Sequence, residues 1–133
     1  MNEQKYKARI ARLMPNGVPR YLRIYDNPAV ADRYTVIFTH AQSFYTKGWF
    51  PVLDMSATPF HPQGVGMHID YNNPIDKPSY KHLGKKIRFQ QLPYDCQALV
   101  MQDYRDYWGI NRIEQATLPF PEKETTEKNI RGL

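Results

Sequence analysis

The sequence predicts an α+β fold in which a small antiparallel β-sheet is packed by one main helix, with a long ordered loop across one edge. Two patterns favour this fold. Several short segments are rich in β-branched and aromatic residues, as strands are. One later segment repeats apolar residues at helical spacing. A chain of 133 residues is long enough for one domain with one core.

The strands are expected to form a meander, because strands adjacent in sequence usually pair in space. Segments at 20–25, 33–39 and 49–55 supply the first three strands. Pro51 has no backbone N–H to donate, so we expect the third strand at an edge of the sheet or at a bulge. A short fourth strand is predicted at 85–89.

Prolines and glycines interrupt residues 56–84, and neither a helical nor a strand period continues there. We expect this stretch to be the long loop, and loops of this length are often functional. The main helix is predicted at about 92–108, with Pro93 in its first turn and Gly109 at its end. The chain thus divides into a basic N-terminal arm or short helix at 1–18, a single α+β domain at 19–118 and a flexible polar tail at 119–133.

The composition excludes several classes of protein. A single cysteine rules out an intramolecular disulfide framework and a multi-cysteine zinc site. No apolar run approaches the roughly 18 residues of a membrane span. The basic N-terminus is not followed by the apolar segment of a signal peptide. We therefore expect a cytoplasmic protein without a membrane partner, and the sequence does not indicate its oligomeric state.

Positive charge is concentrated in two stretches of a chain whose net charge is +5. Residues 1–23 hold six basic residues and one acidic residue, and residues 77–91 hold five basic residues and no acidic one. If folding brings these stretches together, they form a surface that attracts phosphates or an acidic protein. The predicted binding residues are Arg20, Arg23, Lys81, His82, Lys85, Lys86 and Arg88.

Four aromatic residues interleave with these charges: Tyr21, Tyr25, Tyr80 and Phe89. Exposed rings between cations would suit the bases of single-stranded nucleic acid or a nucleotide. The alternative is that these rings belong to the core of the sheet and that the charges form a solvated rim.

Three histidines of the predicted loop are candidates for general acid–base catalysis: His61, His68 and His82. Asp70 would orient one of them. Asp54 and Asp70 add carboxylates that metals bind, but the spacing matches no metal-ligand motif, so we predict neither a metal nor a cofactor. Cys96 lies on the apolar face of the main helix, where a buried structural cysteine is expected.

The chain resembles a family of small uncharacterised proteins encoded by bacteriophages and prophages. The resemblance rests on three segments, which are DRYTV at 32–36, MSATPFHPQG at 55–64, and HLGKKIRF at 82–89 continuing into LPYDCQ at 92–97. It covers about residues 19–110. The resemblance implies a phage or mobile-element context in a host cell and assigns no catalytic residue.

Three hypotheses of function follow. The leading one is a non-enzymatic accessory protein that binds nucleic acid, a nucleotide or an acidic host protein through the basic surface. The second is a small enzyme that processes nucleotides or phosphodiesters with the loop histidines. The third is a steric inhibitor of a host or defence enzyme, with an aromatic anchor such as Tyr45 or Trp49.

Overall fold

The computed structural model describes residues 2–41, 50–71 and 81–110. Within these residues five strands form one antiparallel sheet in the order β4-β3-β2-β1-β5, and together with two helices they confirm the predicted α+β fold. The strands are β1 (Arg23–Asp26), β2 (Tyr34–Ile37), β3 (Phe50–Met55), β4 (Gly66–Tyr71) and β5 (Lys85–Ile87). The helices are α1 (Glu3–Leu13) and α2 (Tyr94–Tyr107). Among the described residues, no helix has the length and apolar content needed to cross a bilayer.

The strands β1, β2 and β3 form the predicted meander, but β3 lies inside the sheet between β2 and β4. The expectation that Pro51 marks an edge or a bulge is therefore wrong. The carbonyl of Pro51 accepts the Phe38 N–H at 3.0 Å, so the Pro51 nitrogen also faces the β2 side. The last pair between β2 and β3 is Ile37 with Val52. The missing donor thus falls one residue beyond the last pair, at the end of the ladder rather than within it.

The prediction of one loop over 56–84 is wrong in its middle, where β4 pairs with β3 along its whole length. The nearby prolines and glycines concealed a short polar–apolar alternation in this strand. A tighter loop remains at 56–65. It is closed by the Ser56 N–H donating to the Val65 carbonyl at 2.8 Å and by the Val65 N–H donating to Ser56 Oγ at 3.1 Å.

The main core lies between one face of the sheet and the two helices. Ile24, Val36 and Leu53 of the sheet pack with Val100 and Tyr104 of α2. The helix α2 confirms the predicted main helix, and Pro93 caps it rather than starting its first turn. The same core includes Leu13, the last residue of α1, and Met14, which follows it.

The hydroxyl of Tyr104 connects three parts of the fold. It donates to the Leu13 carbonyl at 2.5 Å and accepts the N–H groups of Arg20 and Tyr21 at 3.2 Å. Tyr104 is fully buried, so these bonds are made away from water. The end of α1 and the chain that enters β1 are thereby held against α2.

A second, smaller core lies on the opposite face of the sheet, where Leu83 packs with Tyr25 of β1. The chain then turns into β5 through Gly84, which has a φ of +95°. A Cβ at Gly84 would lie 2.1 Å from the Asp26 carbonyl oxygen. Only glycine therefore lets the backbone approach β1 this closely.

The substitution Gly84→Ala should lower the free energy of unfolding by at least about 2 kcal/mol, because it adds both a steric clash and backbone strain. Gly17 is a matched control, since its φ is +79° and nothing lies within 4 Å of a Cβ there. Gly17→Ala should cost only about 1 kcal/mol from the left-handed backbone. Urea unfolding followed by circular dichroism measures both values. Equal losses would contradict the close approach at Gly84.

Candidate anion-binding surface

The two basic stretches meet where β5 pairs with β1. The pairs are Ile24 with Ile87, Tyr25 with Lys86, and Asp26 with Lys85. Since the strands are antiparallel, Arg23 lies just before the first of these pairs and Arg88 just after it. Arg23, Lys85, Lys86 and Arg88 are all exposed and together form what we call the basic edge.

The cations of the basic edge point to both faces of the sheet. Lys86 is the partner of Tyr25, which belongs to the smaller core, and Arg23 and Arg88 each lie two residues away on the same face. Lys85 is the partner of Asp26 and lies on the face of the main core. The sheet therefore ends in a strand with positive charge on both sides.

Asp26, the partner of Lys85 across the strands, is already paired with Arg33. Asp26 accepts bonds from Arg33, from Nε at 2.6 Å and from Nη2 at 3.1 Å, and its hydrogen bond raises the pKa of Arg33. Among the described residues, the other ion pairs join Lys7 to Glu3 and His68 to Asp103. Within this part of the chain no ion pair uses a cation of the basic edge.

The remaining predicted binding residues flank this surface. Arg20 precedes β1, and its guanidinium lies over the Tyr21 ring at 5.3 Å from the centroid. His82 is exposed beside the start of β5, and its carbonyl accepts Asn27 Nδ2 at 3.0 Å. Lys81 begins the short 3₁₀ helix that leads to β5, and only its backbone is described.

The predicted stacking rings that the structure describes pack within the protein. Tyr25 and Phe89 are only 8% and 9% exposed, because their rings belong to the two cores. The Tyr21 ring packs against His40 and Trp108, with centroids 4.8 and 5.6 Å apart. For Tyr25 and Phe89 the prediction of stacking platforms is therefore wrong and the alternative, that they are core residues, is confirmed. Tyr80 lies outside the described residues.

The structure does not bring the candidate catalytic histidines His68 and His82 together. His68 lies on β4 and His82 beside β5, at opposite edges of the sheet and about 19 Å apart by strand spacing. His61 lies in the 56–65 loop, where its Nδ1 accepts the Gln63 N–H at 3.1 Å. Across the described segments, no group of three or more potential ligands is placed to hold a metal ion.

Of the two carboxylates considered as metal ligands, Asp54 has a described side chain. Asp54 lies on β3 opposite Thr35; burial raises the pKa of this carboxyl, and a hydrogen bond from Thr35 opposes the shift. The side chain of Asp70 lies outside the described part.

His68 does have an acidic partner, but it is Asp103 of α2. The distance from His68 Nε2 to Asp103 Oδ2 is 2.6 Å. Burial raises the pKa of Asp103, and the hydrogen bond from His68 acts against this shift. The sequence reasoning missed the pair, although an acidic residue between Val100 and Tyr104 on the apolar face of a helix is a signal that it needs a partner. The pair ties the edge strand β4 to α2.

Comparisons with protein-family models, with curated proteins and with solved structures found no match to this chain. The roles of its residues are therefore argued from geometry. The resemblance to phage-encoded proteins stays a prediction. So does the steric inhibitor, because its anchors Tyr45 and Trp49 lie outside the described residues.

Removing the histidine of the His68–Asp103 pair should destabilise the fold. His68→Ala leaves the Asp103 carboxylate buried without this partner and should lower the free energy of unfolding by about 1–3 kcal/mol. Combined with Asp103→Asn, it should cost less than the sum of the two single changes, since both act on one contact. Urea unfolding measures this coupling. His61→Ala, at an exposed position, is the control and should stay within about 0.5 kcal/mol of the parent. Additive losses at positions 68 and 103 would exclude a coupled pair.

Cys96 should be unreactive in the native protein, as predicted for a buried structural cysteine. It is fully buried, and its Sγ donates to the Ser56 carbonyl at 3.3 Å. Burial, with a smaller effect of Asp95, raises the pKa of the thiol to about 11. At pH 8 only about one thiol in a thousand is then ionised, and the thiolate is the reactive form. Mass spectrometry should find slow alkylation by iodoacetamide in buffer and complete alkylation in denaturant. Native labelling as fast as that of a free thiol would contradict the burial.

Proposed function

We propose that the protein binds nucleic acid through contacts of the basic edge with backbone phosphates. The observation that supports this proposal is the β1–β5 pairing, which joins two cationic stretches that lie far apart in sequence. The four cations involved are exposed, and they have no ion-pair partner within the described segments.

The spacing of these cations suits a polyanion. Residues 85–88 extend over about 10 Å, and Arg23 lies on the neighbouring strand, about 5 Å away. Such closely spaced charges bind phosphates mainly by releasing the counterions that the phosphates hold. Arg23 and Arg88 can in addition donate two parallel N–H bonds to one phosphate group.

Nucleic acid fits this surface better than a nucleotide or an acidic protein. A nucleotide is usually held in a concave pocket lined by apolar groups, whereas these cations stand exposed at the edge of a sheet. A protein interface usually has an apolar centre with aromatic anchors. The neighbouring rings Tyr25 and Phe89 are buried in the fold instead.

The test compares two triple variants with the same net charge. The edge variant carries Lys85→Gln, Lys86→Gln and Arg88→Gln, and the control carries Lys5→Gln, Lys7→Gln and Arg12→Gln on the exposed side of α1. Fluorescence anisotropy with a labelled 30-nucleotide DNA, single-stranded and annealed, measures the binding at about 50 mM salt. The edge variant should bind at least about tenfold more weakly, since three phosphate contacts are lost.

The control variant should stay within about threefold of the parent protein, and circular dichroism should show both variants folded. Equal losses in the two variants would mean that only net charge matters, and the proposed site would be wrong. If the parent protein binds neither form of the DNA, the proposed function is wrong.

A further inference from the structure

The cations of the basic edge are arranged on two sides of one strand. In β5 the side chains of Lys85 and Lys86 point to opposite faces of the sheet, because successive residues of a strand alternate. Arg88 and Arg23 join Lys86 on the face of the smaller core. Positive charge therefore lies along both sides of the edge rather than along the floor of a channel.

This arrangement matches the charge pattern of a duplex. Each groove of a double helix is bordered by two rows of phosphates, one from each strand, and the major groove is wide enough to admit β-structure. Over about 10 Å of its axis a duplex carries about six phosphates, twice the number on one of its strands. A strand edge directed along a groove would bring Lys85 toward one row and Lys86 with Arg88 toward the other.

Three aromatic residues that the structure describes near the edge pack within the fold. Proteins that bind single strands usually stack bases on exposed rings within a positively charged groove. Here Tyr25, the neighbour of Lys86 across the strands, and Phe89, the neighbour of Arg88 in sequence, both lie in the cores. The Tyr21 ring contacts Arg20, His40 and Trp108. Because these three rings pack within the protein, contacts with the phosphate backbone of the nucleic acid are favoured over stacking on its bases.

We infer that the ligand of the basic edge is double-stranded nucleic acid, whose two phosphate rows are contacted from the two faces of β5 without readout of base sequence. This inference rests on the proposed function and specifies its ligand. It requires that Lys85 on one face and Lys86 on the other contact phosphates of the same duplex.

The experiment uses the full chain and three DNA probes: a 20-base-pair duplex, one of its strands, and a duplex of scrambled sequence. Binding is measured by anisotropy between 50 and 200 mM salt. The duplex should bind at least about tenfold more tightly than the single strand, and scrambling should change the affinity by less than about twofold. Four phosphate contacts would give a slope of log affinity against log salt of about −3.6 on the duplex.

Single variants test the two-sided contact. Lys85→Gln and Lys86→Gln should each reduce the magnitude of the duplex slope by about 0.9. Lys5→Gln on α1 is the control and should leave the slope unchanged. If Lys86→Gln reduces the magnitude of the salt slope and Lys85→Gln leaves it at the value of the parent protein, the duplex is not contacted from both faces and the inference is wrong.

The outcomes separate this inference from the proposed function. Equal or tighter binding of the single strand, still lost in the edge variant, would overturn the duplex as ligand and leave the nucleic-acid site standing. Preference for one duplex sequence over its scrambled form would overturn the absence of base readout. Failure to bind any of the three probes would overturn the proposed function itself.

Discussion

The candidate surface depends on three residue pairs between β1 and β5. This contact closes a stretch of about 60 residues, and chain entropy opposes it at that separation. It also brings like charges together, because Arg23 and Arg88 adjoin the same end of the pairing, and neighbouring like charges on paired strands repel. The surface therefore exists only because apolar contacts outweigh that repulsion. These contacts are made on both faces of the sheet. Ile24 is buried in the main core and Ile87 packs against it, and Leu83 packs with Tyr25 in the smaller core.

The position of the β1 side of this surface is set by a buried hydroxyl on another element. Tyr104 of α2 accepts the backbone N–H groups of Arg20 and Tyr21 while it donates to the end of α1. The chain that carries Arg20 and Arg23 is thus fixed to the helix that covers the sheet. Cations held on a rigid backbone lose less conformational freedom on binding than cations on a loose arm. The same tyrosine links the packing of the core to the geometry of the edge.

Local patterns in the sequence were enough for elements whose residue types agree with their structure. The strand β2 has only buried residues of high strand preference, and α2 repeats apolar residues at helical spacing, with Asp103 as the one buried acidic residue among them. The strand β4 was missed, because the prolines and glycines around it concealed its short alternation and because its stability comes from pairing with β3. Pro51 was expected at an edge or a bulge because it has no backbone N–H to donate. An interior strand accommodates this proline because its pairing with β2 ends one residue away, at Val52.

The site was predicted only in part for a similar reason. Exposed lysines and arginines can be read from the sequence, but their meeting depends on a long-range pairing that no local pattern contains. The burial of Tyr25 and Phe89 also depends on tertiary contacts, so the rings that looked like partners for bases are core residues. Asp103 escaped notice because its partner, His68, is 35 residues away in sequence.

The charges of β5 also bear on how the sheet ends. Exposed lysines on a short edge strand discourage pairing with strands of other chains, and β5 has only three residues, two of them lysines. The N–H of Arg88 donates to Gln91 Oε1 at 2.8 Å, so it is not available to pair with another strand. Protection of the edge does not require charges on both faces of the strand. The edge has four cations, one of them on β1, and they are placed on both faces. The proposed duplex, with phosphates on two sides, would account for this placement, and the same charges that repel a further β-strand would attract it.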